Sequence, residues 1–283
     1  MAKKLVIFMF IDTHLHFCNN LLWRMPPEDL LKLIEKYHVD YAIVSNANGA
    51  ELDHNQMLIP ENYQTTQIDV LKESIALAKR LPNRIGIAPW IKPHTESCDQ
   101  NFIKLFEENI EYIKAIKLHS YHSNTAINDE KMKPYIELAK KHHLPFIIHT
   151  GGCEKARCIH VLDAALKHPE INFIMVHMDL GSNHQEALDC LGKAKNLYGD
   201  TTWVPIEITL EAIKRYGSQK IIFGSDAPID GIDTYVTNKY NEPSMYVQYW
   251  NKLPTLISQK DYNNIMHQNA IKIFNLEGVL KNE

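Results

Sequence analysis

Asp12, His14 and His16 stand at alternate positions where the apolar run of FIDTHLHF ends. Side chains two apart on a strand share a face, with Cα atoms roughly 6.6 Å apart. The trio is therefore expected to continue the row Val6, Phe8 and Phe10 and to emerge together at one strand end. Two imidazoles so placed can converge on one metal ion. Asp12, one step deeper, suits support of a ligand better than ligation. Other polar groups close apolar runs in the same way: Lys117 and His119 in IKLHS, His149 in PFIIHTGG, His177 in FIMVHMDLG and Asp226 in IIFGSDAP. Each would be costly to bury alone. Their common place at strand ends points to one site.

The elements that must position these groups alternate along the whole chain. Short apolar runs such as DYAIVSNA, LPFIIHTG and INFIMVHM read as strands covered on both faces. Between them lie amphipathic helices such as PEDLLKLIEKYH, IDVLKESIALAKRL, CIHVLDAALKH and EITLEAIKRYG. Pro27 suits the first helical position, and Gly217 the residue just past a helix end. Eight such alternations without a linker predict a single (β/α)8 TIM barrel over residues 1–283, with its site at the C-terminal mouth. An open doubly wound sheet is the alternative, weakened by the lack of a G-x-G-x-x-G after the first strand.

Bulk properties narrow the classes. With 45% hydrophobic and 23% charged residues and a net charge of −4, the chain has no basic character that would favour nucleic acid or an anionic membrane. The 15 histidines are the unusual count. MAKKLVIFMFI resembles the start of a signal peptide, but its apolar run stops at Asp12 with no small-x-small site after it. It reads as a buried first strand. No run approaches the roughly 20 apolar residues of a membrane span. Five cysteines without a C-x-x-C pair suggest reduced thiols in a cytoplasmic protein, and Cys153-x4-Cys158 is a poor zinc spacing. Histidines in helices (His38, His142, His143, His168, His267) read as structural, and His54, His94, His122, His160 and His184 as surface residues.

Taken together, IDTHLH, IKLHSY, LPFIIHTGG, FIMVHMDLG, IIFGSDAP and NAIKIFNL resemble the amidohydrolase superfamily, in the branch often called amidohydrolase 2. That branch holds metal-dependent hydrolases, lactonases and aminocarboxymuconate-semialdehyde-type decarboxylases. The resemblance implies that His14, His16, His149 and Asp226 bind one divalent metal, most often zinc, with manganese as the other candidate. It makes His177 the catalytic acid/base, able to ligate a second metal. Asp226 would shuttle a proton to the leaving group, and Lys117 and His119 would line the pocket. Such a metal lowers the pKa of water towards 7. In binuclear relatives a carboxylated lysine ends strand 4; the IKLH context resembles the mononuclear branch, where Lys117 stays a plain cation. It could then hold a substrate carboxylate with help from Arg24 and Arg157.

Trp23, Trp90 and Trp203 fall near strand ends and could wall the pocket. The chain departs from the family at Asp179, where glycine is more usual, and the loops after strands 1 and 2 read as short. The expected activity is hydrolysis of a lactone, amide or ester-type bond in a small molecule that carries a carboxylate. The alternative is nonhydrolytic decarboxylation of an unsaturated or keto acid. A metal-dependent deoxyribonuclease ranks lower, because IKLHS and FGSDAP replace the glutamate and E-T-D of that family. Assembly as a homodimer is compatible with these expectations.

Overall fold

The computed structural model describes residues 9–229, 235, 237 and 241–280. Val6 and Phe8, expected to begin the first strand, lie outside the described residues. β1 (Ile11–Asn19) is buried from Ile11 to Cys18 and carries a two-residue antiparallel addition, β2 (Arg24–Met25). It pairs in parallel with β3 (Tyr41–Asn46), which pairs with β4 (Ile85–Ile87). A second parallel sheet runs in chain order through β5 (Ile116–Leu118), β6 (Phe146–Gly151), β7 (Phe173–Leu180), β8 (Leu197–Asp200) and β9 (Ile221–Ile222). Bridges Ile87–Ile113 and Trp90–Lys117 join the sheets on one side. On the other, the bridge Leu15–Ala227 is flanked by Thr13 N–H donating to Phe223 O (3.1 Å) and Asp226 N–H to His14 O (2.8 Å). The parallel strands thus ring an (β/α)8 barrel.

The helices cover it for local reasons. Pro27 opens α1 (Pro27–Lys36), which buries Leu30, Leu33 and Ile34 at helical spacing. α2 (Gln67–Ala78) is capped by Thr66, whose hydroxyl accepts from Asp69 N–H. α3 (Gln100–Glu107), the single turn α4 (Ser120–Ser123), α5 (Lys133–His142), α6 (Cys158–Lys167) and α7 (Gln185–Leu191) follow. α8 (Ile206–Tyr216) ends at Gly217, whose φ of +85° is open to glycine. Among the described residues, no helix is long and apolar enough to cross a membrane.

Two apolar layers result. The inner one packs Ile11, Tyr41, Ile43, Ile147, Ile174 and Ile222 against Ala270, Ile273 and Phe274, which close the bottom of the barrel. The outer one, under the helices, holds Phe10, Leu15, Phe17, Val44, Ile148 and Phe223. This division corrects the expected row on β1. The β1–β3 register shifts between Asp12 and Leu15, and one irregularity exchanges the two faces of a period-2 strand. Phe10 and Asp12 face the outer layer, where Tyr235 meets both; His14 and His16 turn inward. The segment after β3 is also longer than the sequence suggested, running from 47 to 66 before α2. It is pinned by Glu51 and Leu52 N–H donating to His122 O (3.1 and 2.8 Å), and by the buried Glu51 carboxylate, which accepts from Thr95 N–H and Oγ1 (2.6 and 2.7 Å).

Gly151 marks another irregularity, between β6 and β7. Its φ is +104°, and a Cβ there would lie 2.3 Å from Leu180 N and 2.5 Å from Leu180 O. Both obstacles are backbone and cannot rotate away. Gly151→Ala should destabilise the protein by about 3 kcal/mol or more, read from urea unfolding. A change below about 0.5 kcal/mol would mean that the strand end yields.

Candidate metal centre

Each inward imidazole on β1 has its far nitrogen committed. His14 Nδ1 faces Thr202 Oγ1 (3.1 Å) and Asp200 Oδ2 (3.3 Å). The Thr202 hydroxyl donates to that same Asp200 oxygen (2.6 Å), so its own oxygen is left to accept from His14. His16 Nδ1 faces the Ser45 carbonyl at 3.2 Å, which can only accept. Both rings therefore carry their proton on Nδ1 and a lone pair on Nε2. Those Nε2 atoms lie 3.0 Å apart. Asp226 Oδ1 lies 3.0 Å from His16 Nε2 and 3.4 Å from His14 Nε2. Three acceptors this close repel one another unless a proton or a cation sits between them, and acceptors oriented by outer partners are what a metal site requires. His14, His16 and Asp226 can hold a metal ion.

The other side chains surround this trio. Lys117 Nζ is fully buried, 2.9 Å from His14 Nε2. Burial lowers its pKa to about 8 against the opposing pull of Asp226 and Asp200. Burial alone would raise the Asp226 carboxyl, but His16, His177 and Lys117 outweigh it and hold it below its ordinary value. Asp226 Oδ2 accepts from the Trp203 indole N–H (2.8 Å). His177 Nδ1 faces the Thr202 carbonyl at 3.2 Å, which again leaves a lone pair on Nε2, and burial takes its pKa down to about 4. His149 is not within the tight trio. Its ring stacks on His119 at 3.9 Å and meets His177 edge-on at 4.8 Å. Its buried Nδ1 has no hydrogen-bond partner among the described residues, as suits a further metal donor.

A cavity of about 340 Å³ opens above these groups, walled by Trp23, Trp90, Trp203, Tyr121, Leu180 and Ile229. His119 lines it, and so do His54, which is exposed as expected, and His122, which is buried although its position reads as surface. α4 carries His122 inward and the pinned 47–66 segment brings His54 beside it, each edge-on to Trp23. Arg24 and Arg157 lie elsewhere. Arg24 is exposed on β2, and Arg157 pairs with Glu186 (2.7 Å) and Glu154 (3.6 Å). Asp12 touches none of the ligand rings. Its Oδ1 accepts from His14 N–H (3.1 Å) and Ser225 N–H (3.2 Å), and its Oδ2 from the Tyr235 hydroxyl. It ties together the two chain segments that carry His14 and Asp226.

Sequence reasoning missed Asp200 and Thr202. Asp200 accepts from the His177 backbone N–H (2.9 Å) while facing the His14 ring, so one carboxylate fixes the end of β7 and orients His14. The signal was an acid closing a short strand in LYGDTT. Left-handed backbone gathers at the same place: φ is +67° at His177, +46° at Met178, +78° at Asp179, +57° at Trp203 and +67° at Asp226. Strain of this kind persists where the surroundings fix it, commonly at functional sites. It also accounts for Asp179, which stands in backbone that glycine adopts freely.

The barrel and its ring of inward histidines define the class. The chain belongs to the amidohydrolase family, whose sequence model matches residues 11–276, and members of that family are enzymes. Among curated proteins none matches the sequence significantly. Solved structures with the same fold include 2,6-dihydroxybenzoate decarboxylase from Rhizobium, at 15% identity and a TM-score of 0.65 over 96% of this chain and 100% of that one. A probable 2-pyrone-4,6-dicarboxylic acid hydrolase from Acinetobacter baumannii, with citric acid bound, matches at 13% and 0.62 over 94% and 99%. The 5-carboxyvanillate decarboxylase from Novosphingobium aromaticivorans, complexed with manganese and a nitrobenzoic acid, matches at 12% and 0.68 over 95% and 96%.

Proposed function

We propose that this protein is a metal-dependent hydrolase of a small planar substrate that carries a carboxylate and an ester, lactone or amide bond. The observation that carries the reading is the convergence of two proton-free Nε2 atoms and the Asp226 carboxylate beside a third such atom, on His177. His14, His16 and Asp226 would hold one divalent ion, with His149 as the fourth ligand. Imidazole and carboxylate donors suit zinc and manganese alike. The ion would polarise an acyl oxygen and lower the pKa of water towards 7.

The residues supply the rest. His177, neutral and hydrogen-bonded through Nδ1, offers Nε2 as the acceptor for a proton from the attacking water. The proton that His177 takes up would go on to the leaving group, relayed by Asp226, which the Trp203 N–H steadies. The Trp90, Trp203 and Tyr121 rings favour a flat molecule and exclude water. The five cysteines are all free, which suits a cytoplasmic enzyme.

Decarboxylation is the second reading, favoured by Lys117. Its ammonium does not line the cavity as expected but is buried 2.9 Å from His14 Nε2, where it can neutralise a carboxylate drawn onto the site or give a proton to the carbon that loses CO2. A paired panel separates the two. Acid release from aryl lactones, esters and amides is expected, while planar unsaturated acids should give no CO2. CO2 release without any hydrolysis would transfer the assignment to the second reading.

A further inference from the structure

His119 is enclosed on both faces. Its ring stacks on Trp90 at 4.8 Å with a 13° tilt, and on His149 at 3.9 Å with a 16° tilt. It also sits at the N-cap of α4, where its Nδ1 accepts from His122 N–H at 3.3 Å. A backbone N–H can only donate, so His119 Nδ1 must hold a lone pair and the ring proton must be on Nε2. The assignment is the reverse of His177, whose Nδ1 faces a carbonyl. Both rings line the cavity, one as a fixed donor and the other as a fixed acceptor.

We infer that His119 is a substrate-binding hydrogen-bond donor, held in its Nε2–H tautomer by α4 and in its orientation by Trp90 and His149, and that it receives a carboxylate oxygen of a planar acid. The inference rests on the proposed reading of the cavity as a site for planar carboxylates. It gives α4 a role: one backbone N–H selects the tautomer that makes His119 a donor. His122 repeats the logic in the opposite sense, since its Nδ1 faces Leu52 O at 2.6 Å and its Nε2 is left to accept.

The test compares two variants with the wild type, using benzoate as the probe and titration calorimetry on manganese-loaded protein. His119→Phe keeps a ring between Trp90 and His149 but has no N–H, and should bind benzoate about tenfold more weakly. His119→Gln can place an amide N–H near the position of Nε2, and should recover to within about threefold. Equal binding by wild type and His119→Phe, or no binding by any of the three, overturns the inference. Long-range proton–nitrogen correlation spectra of metal-free protein read the tautomer independently. His119 should be protonated on Nε2, and a proton on its Nδ1 overturns the inference. A protein that takes up no metal yet shows this tautomer and this order of benzoate affinities would defeat the metal-dependent reading and leave the inference standing.

Discussion

Asp226→Asn should remove the bound metal and abolish turnover while leaving the barrel folded. The carboxylate contributes the only negative charge to the trio it forms with His14 and His16, and its Oδ2 is already engaged by Trp203. An asparagine that keeps its carbonyl on the Trp203 N–H would turn its amide N–H2 towards the two Nε2 lone pairs. It would satisfy them as a cation does, and so compete with the ion instead of binding it. Changes to partners outside the ligand shell commonly cost 10- to 100-fold in metal affinity. Loss of a charged ligand should exceed about a hundredfold, and turnover should fall with it. Metal analysis, activity and a thermal melt of the same preparation check the prediction. Full metal content with unimpaired turnover would remove Asp226 from the site.

His177→Asn should produce the complementary result. His177 Nε2 is the acceptor placed beside the trio, and its Nδ1 bond to Thr202 O keeps it in that role. Asparagine can hold the Thr202 carbonyl through its side-chain amide but cannot take up a proton at neutral pH. Loss of a positioned base costs about 10²- to 10⁴-fold in rate, so kcat should fall by that much with metal content unchanged. Loss of the metal would make His177 a ligand; unchanged kcat would mean that another group takes the proton.

Much of the centre was legible because a parallel barrel imposes one rule on every strand. Side chains alternate in and out, and polar groups that interrupt an apolar run do so at the same end. Lys117, His149 and His177 follow that rule, and NAIKIFNL closes the bottom as an apolar plug. Asp12 shows where it fails. Simple alternation puts it on the face of His14, but the shift before Leu15 turns it to the outer layer. Its part becomes the tie between β1 and Ser225. A backbone irregularity leaves no period in the sequence by which to find it.

The cavity walls were less legible because loops place them. His54 and His122 reach the mouth through Glu51 and Leu52 bonding to α4, contacts between segments about 70 residues apart. Arg24 and Arg157 seemed near enough along the chain to bind a carboxylate, yet one lies exposed on β2 and the other is spent on Glu186. Asp200 was hidden in a short strand whose importance appears only when His14 is seen against it.

The central claim is that His14, His16 and Asp226 bind a divalent ion, and the measurement closest to it is elemental analysis of wild-type protein purified without chelator. About one equivalent of zinc or manganese per chain is expected, and less than about a tenth of that in a His14→Ala, His16→Ala double variant. Wild-type protein that holds no divalent metal, and takes up none when manganese or zinc is supplied, would contradict the account.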